Sequence, residues 1–177
     1  MNLRETLENF EKSLSDFITN EPELLIHNIS ERSISNKLAK YLELNFVDFN
    51  VDTEYNGDIE NSESFRKQIN ISKEEMLKIA ARRIDENDTY NVFPDIIIHT
   101  RLKNINNHLV VEIKKKNSDT KAKNFDELKL KAFTTQYKYR LGIYLEFKTG
   151  INFEVSCKNY FQNGLKKYES QLIDFTN

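Results

Sequence analysis

Apolar residues near the start of the chain recur at helical spacing. Leu3, Leu7, Phe10, Leu14, Phe17 and Ile18 fall on one stripe, predicting a helix over 3–18 with Pro22 just beyond it. The segment NISERSISNKLAKYLEL repeats the pattern with Ile34, Leu38, Tyr41 and Leu42. Asn28 and Glu31 have capping-box spacing, so a second helix is expected from there to about Leu44. The period then changes to two. Phe46, Asp48, Asn50 and Asp52 point one way and Val47, Phe49 and Val51 the other, a half-buried strand that ends at the turn signal Asn56-Gly57. After a polar loop, Ser72 and Glu75 make another capping-box pair and open a helix through about Asp85.

Two apolar runs, about 92–101 and 108–115, flank LKNINN and predict an antiparallel hairpin. KNSDTKAKN reads as a basic loop, and FDELKLKAFTTQYKY as a helix with Phe125, Leu128, Ala132 and Phe133 inward. LGIYLEF and INFEVSC form a second hairpin across Lys148-Thr149-Gly150. Tyr160, Phe161, Leu165, Tyr168, Leu172 and Ile173 then suggest a final helix over about 159–174. This order predicts an α+β fold: one domain over 1–177, with a central mixed sheet flanked by helices.

Composition narrows the function classes. Twenty-six basic against 28 acidic residues give a net charge of -2, which argues against a chain basic all over but allows a local basic face. Four Gly and 2 Pro are too few for a linker or low-complexity chain. The lone cysteine, Cys157, cannot form an internal disulfide and belongs to no zinc-like cluster, so it is expected to pack as a small apolar residue. MNLRETLENFEKSLSDF is too polar for a signal peptide, and no apolar run approaches membrane-spanning length. A cytoplasmic protein without membrane attachment is expected.

The candidate chemistry lies in the charges of the first hairpin. In LVVEIKK, Val110, Glu112 and Lys114 share one face and Leu109, Val111 and Ile113 the other, as in a strand covered on both sides. A carboxylate there must be paired, protonated or bound to metal. Asp95 opens the Ile96-Ile97-Ile98 run, and antiparallel pairing brings it level with Glu112 to Lys114. One reading is a structural ion pair between Lys114 and Glu112, with Asp95 capping its strand. The other is a site for Mg²⁺ or Mn²⁺, which take oxygen ligands, with the ammonium placed to orient water and stabilise phosphorane charge.

Pro94-Asp95, a spacer and Glu112-Ile113-Lys114 resemble the signature of the PD-(D/E)xK nuclease superfamily, whose members have restriction-endonuclease-like folds and carry these residues on adjacent strands. The likeness extends over about Asn28 to Phe147 and is to small bacterial members. It implies catalytic roles for Asp95, Glu112 and Lys114. It also implies that Glu31, on the helix before the sheet, joins Asp95 and Glu112 at the metal directly or through water. On the helix after the second strand it points to Lys129 and Gln136, and less strongly to Asp126, as groups facing nucleic acid. Their alternative is a solvated helix face.

Lys114, Lys115, Lys116, Lys121 and Lys123 form a basic stretch beside these carboxylates, followed by Lys129, Lys131, Lys138 and Arg140; Arg82 and Arg83 form another pair. Such a stripe attracts a phosphate backbone but carries no base-reading motif. His27, His99 and His108 share no ligand spacing. Asp48, Asn50 and Asp52 read as an exposed strand face, with Asp52, Tyr55 and Asn56 as candidates to line a cleft. The function expected from the resemblance is metal-dependent hydrolysis of nucleic acid, DNA first, with a homodimer cutting two strands. The alternative is a catalytically inactive module of the same fold that binds nucleic acid or scaffolds a larger defence or repair complex.

Overall fold

A computed structural model of the chain describes residues 1–58, 66–79, 89–101 and 106–173. Helix α1 (Leu3–Asn20) is closed at its start by a capping box: Glu5 N–H donates to Asn2 Oδ1 at 2.9 Å and Asn2 N–H to Glu5 Oε2 at 2.9 Å. After the short α2 (Pro22–Ile26) comes α3 (Glu31–Asn45). Its cap is Ser30, whose Oγ accepts the Ser33 N–H at 3.2 Å, and not Asn28, which sits outside the helix with φ of 54°. The expected Asn28–Glu31 box is therefore corrected. Glu31 is the first helical residue, and its carboxylate is free of cap duty.

Strand β1 (Asn50–Thr53) starts later than the alternation suggested, because Phe46 is drawn wholly into the core at the end of α3. β2 (Gln68–Asn70) and α4 (Lys73–Ile79) follow. The Ser72–Glu75 box is present, with Glu75 N–H on Ser72 Oγ at 3.3 Å and Ser72 N–H on Glu75 Oε2 at 3.3 Å. The rest of that helix, towards Asp85, lies outside the described residues, as do Arg82 and Arg83. β3 (Thr89–Asn91) precedes the strand expected over 92–101, which is shortened to β4 (Ile96–His99), with Pro94 between the two. Then come β5 (Leu109–Lys115), α5 (Thr120–Gln136), β6 (Leu141–Lys148), β7 (Glu154–Gln162) and β8 (Leu165–Lys167).

The main sheet has six strands in the order β1-β4-β5-β6-β7-β8, and β2 and β3 pair separately. All neighbours in the main sheet are antiparallel except β5 and β6, which α5 joins as a crossover. The chain is thus α+β with a central mixed sheet. On one face, Phe10 and Phe17 of α1 and Ile34, Leu38 and Leu42 of α3 pack with Ile96, Ile98, Leu109, Val111 and Ile113. On the other, Leu130 and Phe133 of α5 pack with Ile97, Val110 and Tyr144. Cover on both faces explains why β5 is apolar on both sides, and it buries Glu112 completely.

The expected helix over 159–174 is not formed. β7 runs to Gln162, Asn163 and Gly164 turn the chain with φ of 51° and 77°, β8 returns, and a 3₁₀ turn over Glu169–Gln171 follows. Tyr160 and Phe161 go to opposite cores, as neighbours in a strand must. No described helix is long and apolar enough to cross a membrane.

Candidate active site

The Ile96↔Val111 pair sets Asp95 opposite Glu112. At this end of the hairpin the Pro94 carbonyl accepts the Glu54 N–H at 3.1 Å, so it is not spent on β5. The Asp95 side chain takes over instead, with Oδ2 accepting the Ile113 N–H at 2.7 Å. Glu112 and Lys114 project from the α5 side of β5. Lys114 Nζ lies 2.8 Å from Asp126 Oδ2 and 3.3 Å from Glu31 Oε2. Glu31 also ties α3 to the end of β5, its Oε1 accepting the Lys115 N–H at 2.8 Å and the Ser118 hydroxyl at 2.7 Å. Asp95, Glu112, Lys114 and Glu31, separated in sequence, therefore lie in one region.

The ion pairing differs from the simple Lys114–Glu112 pair. Glu112 Oε2 is held by Lys129 Nζ at 2.6 Å, and the same ammonium is 2.8 Å from Asp126 Oδ1. Asp126 and Lys129 lie one turn apart on α5 and are 4% and 7% exposed. Lys129 is inside the cluster and not on a solvated helix face. The sequence signal for both was positional: Asp126, Lys129, Leu130 and Phe133 share one helical stripe, and its apolar members are core.

Four carboxylates (Asp95, Glu112, Asp126 and Glu31) face two ammonium groups, so the cluster is acidic with every group ionised. Glu112 Oε1 is buried without a hydrogen-bond partner. Burial, joined by repulsion from Asp95 and Asp126 and opposed by Lys129, pushes the Glu112 carboxyl well above the ordinary range. Burial also raises Asp95, against the pull of Lys129 and the Ile113 N–H. Burial acts to raise Glu31 too, but the Lys115 N–H, the Ser118 hydroxyl and Lys114 outweigh it and bring Glu31 below its usual value. For Lys114 and Lys129, burial is outweighed by the carboxylates, and both are held more firmly protonated than usual.

The donor set is all oxygen, with one spare buried oxygen and excess negative charge, which suits a hard divalent cation. Among the described residues, however, no three His, Cys, Asp or Glu side chains converge into a group that could hold a metal ion. Ammonium groups stand among these carboxylates.

Of the expected phosphate-facing residues, Lys116 and Lys121 are exposed and Lys115 is half-buried at the end of β5. Lys123 Nζ is engaged by Glu146 Oε2 at 2.6 Å and the Lys116 carbonyl at 2.5 Å. Gln136 lies at the far end of α5, where its amide pairs with the Asn70 backbone at 3.0 and 2.9 Å.

A second polar cluster sits on the same sheet face. Asp52 Oδ2 is 2.9 Å from His99 Nε2 and accepts Arg101 Nε at 2.8 Å, and Oδ1 pairs with Arg101 Nη2. Asp52, expected on an exposed face, is instead mostly buried at this contact. Comparison with known proteins found no matching protein family, curated protein or solved structure.

Proposed function

We propose that the chain is a metal-dependent nuclease of the PD-(D/E)xK kind with a restriction-endonuclease-like core, acting in the cytoplasm on phosphodiester bonds, first of all in DNA. The observation that carries this reading is the register that sets Asp95 beside Glu112, with Lys114 two residues on along the same strand face and Glu31 against the strand's end. Glu112 Oε1, buried and unpartnered, supports it further. Asp95, Glu112 and Glu31 would hold Mg²⁺ or Mn²⁺. Such an ion supplies Lewis acidity and lowers the pKa of bound water. Lys114, held protonated between Asp126 and Glu31, is placed to donate to a water or a phosphate oxygen. Exposed Lys116 and Lys121, beyond the same strand end, offer charge to a phosphate backbone.

A second reading is a module of the same fold that binds nucleic acid without cutting it, within a larger defence or repair complex. It is favoured by the closure of the carboxylates onto Lys114 and Lys129. Cleavage of plasmid and single-stranded DNA with Mg²⁺ or Mn²⁺ separates the two. Cutting by the wild type, lost in Lys114→Ala and in chelator, is the expected result. DNA binding without cutting would instead establish the module. A homodimer would deliver two cuts, and its mass in solution would depend on concentration.

A further inference from the structure

We propose that Lys129 is a built-in cation that occupies the metal position of this site and yields it when a divalent ion binds, remaining paired with Asp126. The inference rests on the metal-binding reading above and adds a residue that acts against the ion. Three observations carry it. Lys129 Nζ sits 2.6 Å from Glu112 Oε2, the deepest carboxylate of the cluster, where a divalent ion would have to bind. The other Glu112 oxygen is buried and unpartnered, so one ammonium only half satisfies a carboxylate that offers two ligand atoms. Lys129 also has a second partner on its own helix, Asp126 Oδ1 at 2.8 Å, so releasing Glu112 does not leave the ammonium stranded.

Lys114 cannot take this part as easily. It reaches Asp126 Oδ2 and Glu31 Oε2, and no ion pair joins it to Glu112. The carboxylates do not converge as they stand, and an ammonium is seated between Glu112 and Asp126. Coulomb repulsion between Lys129 and an arriving ion makes the two mutually exclusive on Glu112, so part of the metal's binding free energy is spent on displacing Lys129.

The test is Mn²⁺ binding to the full chain, read from loss of the free-ion EPR signal and by calorimetry, with no nucleic acid present. Lys129→Met is expected to bind Mn²⁺ roughly tenfold more tightly than the wild type, and Lys129→Arg, which keeps the charge, no more tightly than the wild type. Equal or weaker binding by Lys129→Met would overturn the proposal and show that Lys129 positions the carboxylates; the nuclease reading would stand, because metal still binds. No Mn²⁺ binding by the folded wild type and variants would overturn both. Should Lys129→Met fail to fold, Asp126→Asn/Lys129→Met removes one charge of each sign. It is expected to bind more tightly than Asp126→Asn alone, and equal affinity would again overturn the proposal.

Discussion

The hairpin of β4 and β5 carries a polar cluster at each end of one face, and the two are built on opposite principles. At the His99 end, one carboxylate, Asp52, meets two partners that use both of its oxygens. At the Asp95 end, three carboxylates pair with two ammonium groups, Asp95 accepts the Ile113 N–H, and the buried Glu112 Oε1 has no partner. The first is a closed account of hydrogen bonds, the form that buried polar groups take when they serve the fold. The second would hold excess negative charge in a desolvated place with every group ionised, a cost that a cation or a proton relieves. Under the proposed function, chemistry belongs to the Asp95 end and stability to the His99 end. Each assignment is open to direct test.

The largest expected effect is on cleavage. Lys114→Ala should lower the rate by about 10²–10³, the usual cost of losing one charge-stabilising donor. Asp52→Asn, read in the same assay, should stay within a few-fold of the wild type. Equal losses would erase the distinction between the two ends.

Acid sensitivity should belong to the opposite end. His108, whose N–H donates to the Ile98 carbonyl beside His99, is buried, and burial and Arg140 lower its pKa to about 4. Its folded pKa lies below the unfolded value of about 6.5, so between those limits the unfolded chain binds more protons. Its contribution to stability is present above about pH 6.5 and is lost as pH falls towards 4. The full swing is on the order of 2–3 kcal/mol. Urea midpoints of the wild type and His108→Leu across this window should differ in slope, with the variant losing less stability on acidification. Parallel curves would remove His108 from the acid response.

Smaller, but opposite in sign at the two ends, are two amide substitutions. Asp52→Asn weakens the contacts to His99 and Arg101 and should cost about 1–2 kcal/mol. Asp95→Asn keeps an acceptor for the Ile113 N–H while relieving the acidic cluster, so the metal-free protein should be as stable as the wild type or more so by up to about 1 kcal/mol, at the expense of cleavage. Thermal unfolding of both in chelator reads the contrast, and destabilisation by Asp95→Asn would show that the cluster serves the fold.

Much of this arrangement was legible in the residues. The alternation in LVVEIKK gave the two faces of β5, and the short loop brought Asp95 level with Glu112 to Lys114; the structure sets it opposite Glu112. Two of the misreadings have a clear physical cause. Asp126 and Lys129 look like solvated helix charges by type, and only their place on the Leu130–Phe133 stripe marks them as inward; a buried pair of opposite charges overrides the usual polarity rule. In the last segment, aromatic and aliphatic residues fit helical spacing by chance, while Asn163-Gly164 is the stronger local signal. Both residues take positive φ, and a Cβ at Gly164 would meet Thr135 Cγ2 at 2.6 Å. The resulting hairpin places Tyr160 and Phe161 in opposite cores, which no helix could do.

The smallest expected effect concerns where a phosphate backbone would lie. Lys123, tied to Glu146 and the Lys116 carbonyl, is already committed inside the molecule, whereas Lys116 and Lys121 are exposed just beyond the acidic end of the hairpin. If DNA approaches that end, Lys116→Ala and Lys121→Ala should each weaken binding a few-fold, without regard to sequence. Each should also reduce the slope of log affinity against log salt by about 1. Arg101→Ala at the other end should leave that slope unchanged, because its guanidinium is spent on Asp52. Fluorescence anisotropy with a labelled duplex over a salt series, in Ca²⁺ to hold the complex uncut, measures all three. A slope that falls with Arg101 and not with the lysines would move the nucleic acid to the His99 end and separate it from the carboxylates proposed to cut it.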